Sequence, residues 1–225
     1  MENLWWRDGV LCCRDGQNAC DGVDEDGKKA GPGVGYAASN GQFHGMEFFH
    51  IGACIYYGDP SQEDMTLVKL CEGIPEVRGT FFQYDGALYY KTKGCFKKIT
   101  KEETFEAADV AGYVPVIVLN ADPAKKAVMD CRYAAVYGGG NSVVLVLAGS
   151  EEQPNAYFWN GNHTVMDAAY FPISQYNLAG DRAEAVTGFG VQSGFLMIFK
   201  EHSVGRAELS TSEIDGRAYL TLNYT

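Results

Sequence analysis

Helical periodicity is almost missing from this 225-residue chain. Only Lys101–Val110, KEETFEAADV, with acidic residues following Thr100 as a cap, predicts a short helix; an α-helical bundle is excluded. Basic runs are missing too. None exceeds the pairs Lys28-Lys29, Lys97-Lys98 and Lys125-Lys126, and 18 Lys plus Arg against 29 Asp plus Glu leave a net charge of −11. Phosphate neutralisation needs clustered cations, so no nucleic-acid partner is expected. Long hydrophobic runs are also absent: Val143–Ala148 spans six residues, against the ~20 of a membrane-crossing helix. The first residues lack the basic leader and apolar run of a secretory signal, so the chain reads as soluble, with no membrane partner.

The seven cysteines, 12, 13, 20, 54, 71, 95 and 131, form no CxxC pair and are odd in number, which reads as reduced thiols of a protein made in a cytoplasm. Adjacent Cys12 and Cys13, without a Cys/His knuckle, argue against zinc. No G-x-S-x-G elbow and no Walker lysine occur. Gly31-Pro32-Gly33-Val34-Gly35 and Gly138-Gly139-Gly140 lack the strand-to-helix context of a dinucleotide loop and read as turns. With no catalytic motif, the chain reads as non-enzymatic and without cofactor.

What the sequence has in abundance is glycine, 27 residues, and aromatics, 13%. Ten short apolar or aromatic runs lie between Gly, Asn, Asp and Pro: Cys54–Tyr57, Thr80–Tyr84, Ala87–Lys91, Val114–Leu119, Tyr133–Tyr137, Val143–Ala148, Ala156–Trp159, Ala185–Phe189, Phe195–Lys200 and Ala218–Leu222. Such runs predict an all-β chain. Four share a cadence of turn, apolar run and break after Gly52, Gly86, Gly140 and Gly194, at intervals of 34, 54 and 54 residues. The second and fourth copies are the most alike, Tyr84–Lys91 matching Gln192–Phe199 position by position. Intervals of this size fit a β-propeller blade, a small antiparallel sheet that must bury its faces against its neighbours. The expectation is one all-β domain over 1–225, with a loop-rich entry segment at 1–40 and about four blade-like repeats over 41–225. Such an incomplete ring would expose an apolar face, so the chain is part of something longer, assembles from copies, or is a β-sandwich instead.

Candidate sites are few. Asp21, Asp24 and Asp26, in the run DGVDEDG, group carboxylates around glycine as calcium requires, but lack the alternating EF-hand register and read first as an acidic loop. His44 and His50, six apart, are expected on one face of a strand with Glu47 opposite, which disfavours a metal triad. Trp159, Asn160 and His163 sit in YFWNGNH, where an aromatic platform beside polar donors would stack a sugar ring; packing between blades is the competing reading. Trp5 and Trp6 near the N-terminus are candidate interface anchors, since Trp dominates binding hot spots.

Two stretches resemble a known family. Asn3–Leu11 with Arg14-Asp15-Gly16-Gln17, and later Tyr170-Phe171-Pro172, Gly180-Asp181, Val186–Gly190 and Leu196–Gly205, together resemble tailed-bacteriophage structural proteins with a propeller core, of the tail-stabilisation (neck or tail accessory) class. The likeness covers about 60 residues and rests on strand and turn positions. It implies a non-enzymatic virion component made in the bacterial host cytoplasm, whose partners are other virion proteins or copies of itself. Family members are much longer chains, so the resemblance implies a fragment. A carbohydrate-binding or carbohydrate-cleaving β-protein is the alternative, because one fold carries many functions.

Overall fold

The computed structural model describes residues 4–7, 10–13, 39–62, 65–110, 127–139, 142–161, 167–172, 175–180, 184–214 and 217–225. They form an all-β structure. A two-stranded hairpin, β1 (Leu4–Arg7) and β2 (Val10–Cys13), comes first, with Trp5 opposite Cys12 and Trp6 opposite Leu11. Four antiparallel sheets of four strands follow, each a meander in chain order. The first holds β3 (Ser39–Phe43), β4 (Met46–Ile51), β5 (Cys54–Gly58) and β6 (Val68–Glu72). The second holds β7 (Thr80–Tyr84), β8 (Ala87–Thr92), β9 (Cys95–Lys101) and β10 (Phe105–Asp109). The third holds β11 (Tyr133–Gly139), β12 (Ser142–Ala148), β13 (Ala156–Trp159) and β14 (Tyr176–Leu178). The fourth holds β15 (Val186–Gln192), β16 (Phe195–Lys200), β17 (Val204–Ile214) and β18 (Arg217–Tyr224).

Local sequence explains the hairpins. The β3–β4, β7–β8 and β15–β16 connections are two residues each, His44-Gly45, Asp85-Gly86 and Ser193-Gly194, and both residues of every pair have positive φ. That is the type I′ turn, whose twist matches its strands and whose second position favours glycine. The match of Tyr84–Lys91 with Gln192–Phe199 therefore superposes one hairpin on its equivalent. The first repeat needs a correction. Gly52 belongs to the β4–β5 turn, and the glycine equivalent to Gly86 and Gly194 is Gly45, 41 residues before Gly86. Consecutive hairpins of one sheet look alike in sequence, which is why the two were exchanged.

The predicted helix at Lys101–Val110 is also corrected: residues 105–109 are β10, paired with β9. Its working period is two. Phe105 and Ala107 face inward and Glu106 and Ala108 outward, because Phe105 packs on the rings of Phe48 and Tyr57 in the first sheet. Among the described residues the helical segment is the single turn at 127–130. Nine of the ten predicted runs lie on strands; Val114–Leu119 falls outside the described residues.

The sheets pack face to face in chain order. Phe48, Ile55, Leu88, Tyr90 and Ile99 form the core between first and second; Tyr89, Phe96, Leu145, Leu147 and Phe158 that between second and third; Val144, Val146, Tyr157, Trp159, Leu196, Ile198 and Leu222 that between third and fourth. Sheets two and three are therefore covered on both faces, and β8 is buried along its whole length. The first strands are neighbours in turn, β3 beside β7, β7 beside β11 and β11 beside β15.

Candidate functional site

Three places carry unusual chemistry: the outer face of the fourth sheet, a buried lysine between second and third sheets, and a cavity where the first strands begin.

In the second strand of each sheet, the third and fifth residues after the first-hairpin turn occupy equivalent places: Phe48 and His50, Tyr89 and Lys91, Val144 and Val146, Met197 and Phe199. The first three pairs are turned toward the following sheet, and all but Tyr89, which is 4% exposed, are wholly covered. In the fourth sheet the same places are uncovered among the described residues. Met197 is half-buried, Phe199 is 41% exposed, and the cross-strand neighbour of Phe199, Val204, is 54% exposed. Phe195 shares the face, with the Arg206 guanidinium 4.5 Å above its ring. Leu196 and Ile198, alternating with these, are buried against the third sheet. The strand is thus apolar on both sides, the pattern of a sheet with neighbours on both faces.

Lys91 is fully buried at the end of β8. Its ammonium donates to the carbonyls of Thr92 (2.7 Å), Met129 (2.9 Å) and Cys131. The last two lie at the end of the helical turn 127–130, where carbonyls lack helical partners and a cation is favoured. Burial lowers the Lys91 pKa to about 8 and pushes the Cys131 thiol up to about 12. Both groups are structural, fixing the connection between sheets.

A cavity of about 410 Å³ lies where the first strands start. Asn40 of β3, Arg78, Thr80 of β7, Arg132, Tyr133 of β11 and Thr187 of β15 supply its polar lining.

The sequence candidates fall elsewhere. Trp159 is 3% exposed within the core between third and fourth sheets, and its Nε1 donates to the Leu220 carbonyl at 3.2 Å. Its ring is engaged in packing, so stacking of a sugar on Trp159 is corrected to the competing reading. Asn160 is likewise committed: its side-chain oxygen accepts from the Leu145 N–H (2.6 Å), and its amide donates to the Tyr84 hydroxyl and the Asp167 carbonyl, both at 2.9 Å. Asn160→Ala leaves buried donors and acceptors without partners and is expected to lower stability by about 2 kcal/mol in urea denaturation. His163 and the calcium candidates Asp21, Asp24 and Asp26 lie outside the described residues. Trp5 and Trp6 are placed on β1.

The shared face expected for His44 and His50 is corrected as well. His44 forms the β3–β4 turn and is exposed, whereas His50 is buried on β4 with Nδ1 2.7 Å from the Tyr90 hydroxyl. Burial lowers the pKa of His50. Among the described residues no cluster of three or more His, Cys, Asp or Glu could hold a metal, and Cys54, Cys71, Cys95 and Cys131 are free thiols. No described helix is long and apolar enough to cross a membrane.

Sequence reasoning missed Lys91, Arg78 and Arg132. Tyr-Tyr-Lys-Thr reads as a strand leaving the core, and two of the three carbonyls that hold the lysine come about 40 residues later. No protein-family model matches the chain, and no curated protein matches it significantly.

Proposed function

We propose that this chain is a propeller-like structural component of a bacteriophage particle, of the neck or tail accessory kind, acting by protein–protein assembly rather than catalysis. Four consecutive meanders with their first strands side by side support a blade-like reading of the sheets. The observation that carries the assembly role is the outer face of the fourth sheet, where Phe199 and Val204 are exposed and Met197 half-buried at positions that the preceding sheets cover. The occupant assigned to that face is a sheet of a neighbouring copy, by continuity with the three sheet-on-sheet interfaces inside the chain. The virion setting follows from the family resemblance, and host-cytoplasm synthesis with it.

Light scattering over a range of concentrations tests this: a mass above 24.6 kDa that grows with concentration is expected, and a monomer at every concentration counts against it. Trp5 and Trp6 are assigned to a second contact. Replacing both by alanine is expected to weaken particle assembly measurably, and unchanged assembly removes them as anchors.

Carbohydrate binding is the second reading, favoured by the hydroxyl and amide groups lining the cavity rather than by Trp159. A blank glycan array removes it.

A further inference from the structure

We infer that the cavity at the starts of the first strands is a binding site for a small oxyanion, a carboxylate or phosphate group, held by the Arg78 guanidinium with Arg132 beside it. At about 410 Å³ it is large enough for a sugar acid or a small phosphorylated molecule. All four sheets line it at strand ends, through Asn40, Thr80, Tyr133 and Thr187, while Arg78 and Arg132 stand on the connections leading into β7 and β11.

Its charge runs against the rest of the molecule. In a chain of net charge −11, the lining contains two arginines and no carboxylate among the described residues. Arg78 has no ion-pair partner among them. Among the described residues the ion-pair partner of Arg132 is Glu151, whose Oε1 is 3.6 Å away and already holds the Lys93 ammonium at 2.6 Å, so most of the Arg132 donors have no carboxylate partner among them. Lys200, by contrast, is 3.1 Å from Glu184, which also accepts from the Ser203 hydroxyl and is thereby held below the usual carboxylate range.

The backbone carrying Arg78 is fixed. The Thr92 hydroxyl donates to the carbonyls of Val77 (2.9 Å) and Arg78 (3.3 Å). A Cβ at Gly79 would come within 2.5 Å of both the Lys91 carbonyl oxygen and the Tyr90 hydroxyl, so only glycine lets the chain pass there. A planar guanidinium on a pinned backbone, beside a second one and neutral donors, suits two-point recognition of a carboxylate or phosphate.

The test is calorimetric titration of the full chain at low salt with inorganic phosphate, glucuronate and neutral glucose. Saturable one-to-one binding of an oxyanion without glucose binding is expected. It should weaken at least about tenfold in Arg78→Gln, the loss of one charge-assisted hydrogen-bonded pair. Because Arg78 is exposed and has no ion-pair partner among the described residues, the variant should melt at the wild-type temperature, which separates a lost site from a lost fold. Preference for phosphate assigns a phosphorylated ligand, and preference for glucuronate an acidic saccharide. No saturable binding of either anion, or equal binding by Arg78→Gln, overturns the inference. Neither result depends on whether the chain assembles.

Discussion

Met197→Glu combined with Phe199→Glu is expected to abolish self-association while leaving the single chain folded. Both side chains sit on the outer face of β16, Phe199 at 41% exposure, so in an isolated copy the new carboxylates stay in water and stability changes by less than about 1 kcal/mol. Against a second sheet the carboxylate at 199 would lose water without gaining a cation, and the one at 197 would keep only its cross-strand neighbour Arg206, at several kcal/mol for the pair. Arg206 on this face is already stacked on Phe195 and hydrogen-bonded through Nε to the Thr225 hydroxyl at 3.1 Å. A control lies one residue away: Leu196→Asp, aimed at the buried face of the same strand, should unfold the protein rather than merely separate copies. Light scattering with circular dichroism reads both. If the double variant keeps the wild-type mass, the fourth sheet is not the assembly face.

Lys91→Met is expected to destabilise the fold by about 3 kcal/mol. Methionine fills a similar volume but withdraws three donated hydrogen bonds, leaving the carbonyls of Thr92, Met129 and Cys131 short of partners, at about 1–2 kcal/mol each. Relief from burying an ammonium offsets part of that. Replacing both contributions leaves a signature in pH. With a folded pKa of about 8 against the ordinary 10.5, wild type has no Lys91-dependent slope below pH 8, where both states hold the proton. Between pH 8 and 10.5 the unfolded chain keeps a proton that the folded one has released, so the lysine's contribution to stability rises with pH by roughly 3 kcal/mol in all. Buried thiols and phenols titrate in the same range with the opposite sign. The quantity to measure is therefore the difference between wild type and Lys91→Met in urea unfolding from pH 7 to 10; a flat difference would show that the ammonium titrates as it does in water.

Much of the architecture could be read before any coordinates. Strands such as Val143–Ala148 are continuous apolar runs because both faces are covered, and Asp85-Gly86 and Ser193-Gly194 mark their hairpins by the φ > 0 that the turns need. Strands with one exposed face were harder. The third strand of the fourth sheet, β17, VGRAELSTSEI, carries polar residues between its inward ones, and β10 was hidden by residues that favour a helix locally but are held extended by Phe105 packing across to Phe48. The sites were less legible. Arg78 and Arg132 are joined only by the approach of two connections far apart in sequence, and the role of Trp159 depends on which side of a strand the fourth sheet covers. Neither leaves a pattern along the chain.

Each sheet is a contiguous stretch of chain, and that has a kinetic consequence. Every four-stranded unit closes through neighbouring hairpins, so it can form as soon as its own residues are available, and the long-range step is docking one finished sheet onto the previous one. Stability is then graded along the array rather than shared equally. The second and third sheets lose two docked faces on opening, whereas the fourth loses one. Amide hydrogen exchange should be slowest in β8 and β12 and faster in β17 and β18, giving opening that proceeds from the C-terminal sheet inward. Covering Phe199 and Met197 with a neighbour would flatten that gradient, so slowed exchange in β16 would report docking even where no change of shape accompanies it.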